Sequence, residues 1–389
     1  MTKVLRIIAR MNVGGPAQQI TGLLSQMDGR FEQVLAIGHP DDGEEDWIGL
    51  RAPWLADDPR VVTIPALGRP IRPGADNQAY RQLRSLIRHV RPDVVHTHTT
   101  KAGLVGRMAA WREGVPAVVH TYHGHVLQGY LGSVQTAGVK VAERRLASRS
   151  DVLLSVGARV RDELLEAGIG RPEQYVVVPP GVTPPRQHTR EAARVALGLG
   201  EEVPVVAFVA RVTDVKRPDR LVEVADRVAR EQPDTVFLVG GGAETAELTR
   251  LRSSVGEADI RFLGWWDDVG QLYAAADLVL LTSDAEGMPV SLIEAGMCGR
   301  ACVATDVGSV AEVVLDGRTG HVVPTEVEPL ATAVLGLLDD PQRRQSYGDA
   351  AREHTHASFS MDRLVATTEA VYDRVLDGDR PRSGGVPGR

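Results

Sequence analysis

The sequence predicts an α/β protein built as two successive doubly wound domains. Short apolar, β-branched runs alternate with helical segments along most of the chain, the pattern of parallel sheets covered by helices. A proline-rich stretch interrupts this alternation near the middle, and the pattern then restarts. A length of 389 residues also exceeds one ordinary core and suits two.

The elements follow in order. Residues 4–10 form a first strand, and Asn12-Val13-Gly14-Gly15-Pro16 turns into a helix ending near Met27. Strands are expected at 33–38, 61–64, 93–98, 117–122, 151–156 and 175–178. Helices are expected at 75–89, 103–112, 138–147 and 158–167. Four prolines within residues 179–185 then mark a stiff linker. Beyond it come strands at 205–210, 235–239, 260–263, 278–281, 301–305 and 321–323. Helices are expected at 218–231, 244–254, 269–275, 289–297, 309–315, 328–338, 341–351 and 361–376. The implied organisation is a first domain over 1–182 and a second over 183–358. A helix over 359–377 returns to the first domain, and 378–389 is a Gly/Pro/Arg-rich disordered tail. Two doubly wound halves predict a cleft between them, where ligands bind.

Composition narrows the function. No apolar run is long enough to cross a membrane, and a strand begins at once where a leader would need an apolar core, so a cytoplasmic protein is expected. Cys298 and Cys302 make neither a disulfide framework nor a zinc site, which wants about four ligands. A net charge of -7 argues against nucleic-acid binding. Yet from Arg60 to Arg112 basic residues dominate, a stretch suited to anionic lipid or a phosphorylated acceptor. The plainer reading of that stretch is a solvated helix face.

The most informative segment is Ser283-Asp284-Ala285-Glu286-Gly287-Met288-Pro289-Val290-Ser291-Leu292-Ile293-Glu294. It follows an apolar strand, on the edge where open α/β sheets hold ligands. Pro289 suits the first helical position, leaving the amides of Val290 and Ser291 as an anion site. Glu286 and Glu294, eight residues apart across the turn, can bracket a polyhydroxylated ligand. Arg211 and Lys216 follow the strand at 205–210 and would converge on the same edge, where two cations neutralise a diphosphate leaving group. Gly14-Gly15 permits close approach to a phosphate or sugar, though a plain turn explains it as well.

His96 and His98 alternate on one strand end, and His120, His123 and His125 lie on the next. Five histidines on adjacent strand ends suit a polar lining for a sugar or phosphate; a metal site and structural roles are the alternatives. The only spaced aspartate pair, Asp377-Gly378-Asp379, lies in the tail, so no metal–diphosphate motif is present.

These motifs resemble the large retaining GT-B glycosyltransferase family numbered 4. The resemblance runs from Gly14-Gly15 to Asp316-Gly317-Arg318-Thr319-Gly320. It includes Arg211 with Lys216, Gly240-Gly241-Gly242, Phe262-Leu263-Gly264, Tyr273 with Asp277, Glu286-Gly287 spaced to Glu294-Ala295, and Val307-Gly308 with Glu312. It implies a GT-B fold with an acceptor-binding first domain and a nucleotide-sugar-binding second domain. It implies that Arg211 and Lys216 hold the donor diphosphate and Glu294 the ribose. Glu286 and the backbone of Gly287, Met288, Pro289 and Val290 would hold the donor sugar. Gly241, Leu263 and Gly264 would complete the nucleotide site, Gly15 would approach the phosphate, and His123 would reach the transferred sugar. The first half is similar to bacterial enzymes that build polysaccharide units on lipid carriers, mostly from UDP-sugars. That makes His98, Lys101 and His125 acceptor-side candidates. One departure is Pro180, where the family's linker carries asparagine.

The resulting expectation is a retaining, metal-independent glycosyltransferase without a resident cofactor. Its partners would be a nucleotide-diphosphate sugar and a glycan, lipid-linked or small-molecule acceptor, with no nucleic acid. Peripheral contact with the inner face of an anionic membrane fits the basic stretch. A nucleotide-sugar epimerase of the same architecture, a phosphorylase and a non-catalytic sugar-nucleotide binding protein remain as alternatives.

Overall fold

The computed structural model describes residues 1–40, 45–68, 72–124, 133–242 and 246–378, except the side chains of 133–136 and 246–247. His125 and the tail from 379 lie outside the described residues. The chain divides into two compact units, one of Met1–Gly181 with Met361–Arg389 and the other of Val182–Ser360.

The first unit holds strands β1 (Thr2–Ile8), β2 (Phe31–Ile37), β3 (Val61–Thr63), β4 (Val94–His98), β5 (Ala117–Tyr122), β6 (Val152–Ser155) and β7 (Tyr175–Val177). They form one sheet in the order β3-β2-β1-β4-β5-β6-β7, and every pair is parallel. Parallel strands are buried on both faces, which explains why they read as continuous Val/Ile/Leu runs rather than alternating ones. The second unit repeats the plan. Its strands are β8 (Val205–Val209), β9 (Val236–Gly240), β10 (Asp259–Gly264), β11 (Leu278–Leu281), β12 (Ala301–Thr305) and β13 (Gly320–Val323). Their order is β10-β9-β8-β11-β12-β13, again all parallel.

Strand order reverses beside β1 in the first sheet and beside β8 in the second. The chain leaves β1 toward one side and β4 toward the other, so the loops beyond these strands diverge and leave a crevice at their carboxyl ends. The same holds for β8 and β11.

The final helix, Met361–Leu376, belongs to the first unit. Met361, Leu364, Val371, Tyr372 and Val375 share one apolar cluster with Val4, Leu23, Phe31, Val94 and Val119. Close approach is possible because Gly22 of helix Gly15–Gln26 has no side chain; a Cβ there would lie 2.4 Å from the Met361 sulfur. At the boundary between the units, the Val182 amide donates to the Phe359 carbonyl at 2.8 Å, so the two segments through which the chain crosses run side by side.

Most elements fall where periodicity places them, and the exceptions have physical causes. Helices Trp47–Arg51 and Arg190–Ala196 have too few turns to show a period, and each is instead nucleated by a side-chain cap, Asp46 and Thr189 respectively. The helix expected at 341–351 continues to Ser358, because buried Ala351 and Thr355 extend its packed face through a polar segment. Pro289 is the N-cap of helix Val290–Met297 rather than its first residue.

Asp277 ties the second unit together. Its carboxylate accepts from Arg190 at 2.9 Å, from nearly fully buried Arg194 at 3.0 Å and from the Val205 amide at 2.8 Å. Removing one partner of a buried pair strands the other charge. Asp277→Ala should therefore lower stability in urea denaturation by about 3–5 kcal/mol. A loss below about 1 kcal/mol, the scale of a surface pair, would contradict the buried-hub assignment.

Candidate functional site

In the second unit the two segments marked by sequence emerge from β8 and β11, the strands on either side of the reversal. Arg211 stands just past β8 and makes no hydrogen bond or ion pair with the described residues. Lys216 lies in the short 3-10 turn Asp214–Lys216, and its Nζ meets Glu286 Oε1 at 2.5 Å. The Ser283 hydroxyl donates to the same oxygen at 2.6 Å. Both members of the pair are largely covered, with side-chain exposure of 18% for Lys216 and 7% for Glu286.

A second set of bonds holds the loops in this position. The Thr282 hydroxyl contacts the carbonyls of Lys216 and Arg217, and the Asp284 amide donates to the Val215 carbonyl at 2.9 Å. Arg217 and Arg220 both reach Asp284, and Arg220 also donates to the Thr282 carbonyl. Thr305 donates to the Ser283 carbonyl at 2.7 Å. Beyond Glu286, the Ser309 amide donates to the Gly287 carbonyl at 2.9 Å. Gly308 has φ +48°, and a Cβ there would lie 1.8 Å from the Glu286 carbonyl oxygen, so only glycine fits. The turn carrying Glu286 is thus fixed by β8, β11 and β12 loops together.

Glu294 lies within helix Val290–Met297, and its Oε2 accepts from the Tyr273 hydroxyl at 3.1 Å. Burial and the adjacent Glu294 charge raise the Tyr273 pKa, which keeps the phenol a donor. Pro289, as N-cap, leaves the amides of Val290 and Ser291 without intrahelical acceptors. Gly241, at φ +118°, donates to the Gly264 carbonyl at 2.7 Å, and Gly242 packs on Val212. The Gly241, Gly264 and Arg211 segments therefore meet, with Leu263 inside β10 and Met288 buried beside Gly287.

The first unit divides the histidines that the sequence groups together. His96, His98 and His123 share one side of the sheet, while His120 bonds Thr97 at 2.8 Å on the other. The pleat requires this, since positions one apart in register point to opposite faces. The four described histidines do not form one lining, and among the described residues no group of three or more His, Cys, Asp or Glu side chains is arranged to hold a metal. His98 Nδ1 lies 3.0 Å from His123 Nε2. Thr99, immediately past His98, has φ +66°, a strained value for a β-branched residue and of the kind that concentrates at functional sites. Gly15 opens helix Gly15–Gln26 just beyond β1, beside the reversal. Lys101 is 9% exposed and pairs with Asp76, so its charge is already matched.

Burial holds His96, His98 and His120 well below the ordinary histidine range, and lowers His123 to about 4. All four are neutral near neutral pH.

The comparisons with known proteins agree with this geometry. Residues 14–181 match the family model described as Glycosyl transferase 4-like domain, and 189–354 the one described as Glycosyl transferases group 1. A D-inositol 3-phosphate glycosyltransferase of Catenulispora acidiphila is 33% identical over 312 residues, covering 73% of this chain and 71% of that one. Among solved structures, sucrose-phosphate synthase from Thermosynechococcus elongatus has a TM-score of 0.79 at 19% identity, covering 97% of this chain and 100% of that one. Anabaena HepE in complex with UDP and glucose gives 0.78 at 20% identity, covering 96% and 100%. The two family models and the Catenulispora relative show a glycosyltransferase, and the two doubly wound parallel units are those of the GT-B class. The chain belongs to the family 4 type of that class.

Sequence reading overlooked three contributors. Tyr273 carries a signal in its spacing to Asp277, but only its bond to Glu294 gives it a role. Ser283 carried no signal beyond proximity. Arg6 did carry one, a charge inside the apolar run Val4-Leu5-Arg6-Ile7-Ile8.

The buried histidines set a pH dependence. His123 has a folded pKa of about 4 against an ordinary 6.5. Between those values the unfolded chain binds protons that the folded chain refuses. Their contribution is complete above about 6.5 and is lost as the pH falls toward 4. The urea midpoint should drop between about pH 7.5 and pH 5; an equal or higher midpoint at the lower pH would contradict neutral burial.

Proposed function

We propose that the protein moves a sugar from a nucleotide diphosphate, a UDP-sugar, to an acceptor hydroxyl with retention at the anomeric carbon. The observation that carries this reading is the Lys216–Glu286 pair on the same edge as Arg211, which has no partner among the described residues. A cation for phosphate and a carboxylate for sugar hydroxyls stand in contact, as the two groups are joined in the donor. When the donor enters, its diphosphate replaces Glu286 as the partner of Lys216, and Arg211 adds the second charge. The freed Glu286 oxygen then accepts from a sugar hydroxyl. Glu294 accepts from the ribose, with Tyr273 orienting it.

In the transfer step the acceptor oxygen forms a bond to the anomeric carbon as the bond from that carbon to the diphosphate breaks. Both occur on one face, and the acceptor proton passes to the departing phosphate oxygen. Arg211, Lys216 and the amides before helix Val290–Met297 stabilise the charge that develops on the phosphate. In this reading the two cations take the place of a metal ion. The UDP and glucose of the HepE complex, which has the same fold, support a uridine donor. The phosphorylated acceptor in the name of the Catenulispora relative supports a polar acceptor, whether a glycan, a lipid-linked unit or a metabolite. The arginines between 60 and 112 favour a peripheral place on an anionic membrane for a lipid-linked acceptor.

A thermal-shift series with UDP, GDP, ADP and TDP in chelator tests the donor site. UDP at about 100 times its dissociation constant should stabilise by roughly 2.7 kcal/mol. Lys216→Ala and Glu294→Ala should abolish that shift, and Lys216→Ala should reduce turnover by about 10²–10³. A shift with none of the four nucleotides would overturn the donor assignment, and a product of inverted anomeric configuration by NMR would overturn retention.

A further inference from the structure

Arg6 is fully buried, yet among the described residues it pairs with no carboxylate. Its guanidinium donates to Gln33 Oε1 and contacts the Met27 sulfur, and its carbon lies 5.8 Å from the centre of the Tyr372 ring. Its Nε has no partner among the described residues. A buried, unmatched cation is costly, and large costs of this kind recur where a fold must control nearby charge.

What lies next to it is a column of histidines. Arg6 of β1 stands opposite His96 of β4 in the strand register. His96 Nδ1 meets the Tyr372 hydroxyl at 2.7 Å, and His96 Nε2 meets the Thr121 hydroxyl at 2.7 Å. The His96 and His98 rings stack with centres 4.2 Å apart, and His98 Nδ1 reaches His123 Nε2 at 3.0 Å. The groups facing this column are Arg6 from β1, Gln33 from β2, Thr121 and His123 from and just beyond β5, and Met27 and Tyr372 from the helical layer. His120 approaches from the opposite face of the sheet. Among the described residues, every charge acting on His96 and His98 is positive, and no carboxylate is among them.

We propose that Arg6 and Tyr372 are positioning residues for His123, acting through His96 and His98 to fix which ring nitrogen of His123 carries its proton. A proton added to His96 or His98 would confront Arg6, so each ring stays neutral and holds a single N–H. His98 Nε2 is buried without a partner. A proton there would be an unsatisfied buried donor while the His98–His123 contact needs one. The proton of His98 therefore sits on Nδ1 and is donated to His123 Nε2. With Nε2 accepting, His123 carries its own proton on Nδ1 and presents that N–H as a donor. Tyr372 completes the arrangement by donating to His96 Nδ1, which places the His96 proton on Nε2, toward Thr121. The consequence for the proposed reaction, on which this part rests, is that His123 acts as a neutral donor to a sugar oxygen rather than as a base.

Long-range proton–nitrogen NMR on the full chain with labelled histidine reads this directly, without donor or acceptor, so it stands apart from the transfer reaction. At about pH 7.5 the expected spectrum shows His98 and His123 as Nδ1–H tautomers and His96 as Nε2–H. His123 in the Nε2–H form would overturn the proposal. In Arg6→Met the titration of His96 and His98 should move to higher pH, whereas Arg6→Lys should leave it in place. Unmoved midpoints in a folded Arg6→Met variant would also overturn it. If Arg6→Met does not fold, the tautomers of the unaltered chain still decide.

Discussion

Everything chemical in this protein depends on one topological constraint. A parallel strand can be joined to the next only by a crossover, and where successive crossovers depart to opposite sides, backbone cannot fill the space between them. That happens once in each sheet, beside β1 and beside β8. Gly15 follows the first of these strands and Arg211 the second, while His98 and Ser283 come from their neighbours across the reversal. The residues that read as chemical stand at or just beyond the carboxyl ends of the strands that flank these reversals.

Polar matching then decides which of them are available. Asp277, Asp284 and Asp76 are occupied by arginines or lysine that brace loops and helices. Glu286 and Glu294 are different. Glu286 meets a lysine on an edge loop and the Ser283 hydroxyl at one oxygen, and Glu294 accepts from a tyrosine that lends a proton. Arg211, with no partner among the described residues, is the open valence of the group.

The fold was largely legible because its signal is local. Continuous apolar strands and amphipathic helices announce themselves within a few residues, and both sheets could be assembled from them. Helices Trp47–Arg51 and Arg190–Ala196 escaped because two turns or fewer contain no period to read. The candidate site was legible in part. Glu286 and Lys216 could be named from spacing, but their direct contact spans seventy residues of sequence and no local pattern encodes it. The histidines show the opposite error. They look like one group along the chain, and the pleat of the sheet separates His120 from the rest. Arg6, a charge inside an apolar strand, went unread in the sequence, and its meaning requires Tyr372, distant along the chain.

The discontinuity of the first unit bears on how the chain comes to be folded. Domains generally fold as units during synthesis, from the amino end onward. Here the segment that emerges first cannot finish first. Its apolar cluster lacks Met361, Leu364, Val371, Tyr372 and Val375 until the last helix leaves the ribosome. Meanwhile Val182–Ser360 is released whole and can close on its own. Through that interval Leu23, Phe31 and Val94 lack the part of their apolar cluster that helix Met361–Leu376 supplies.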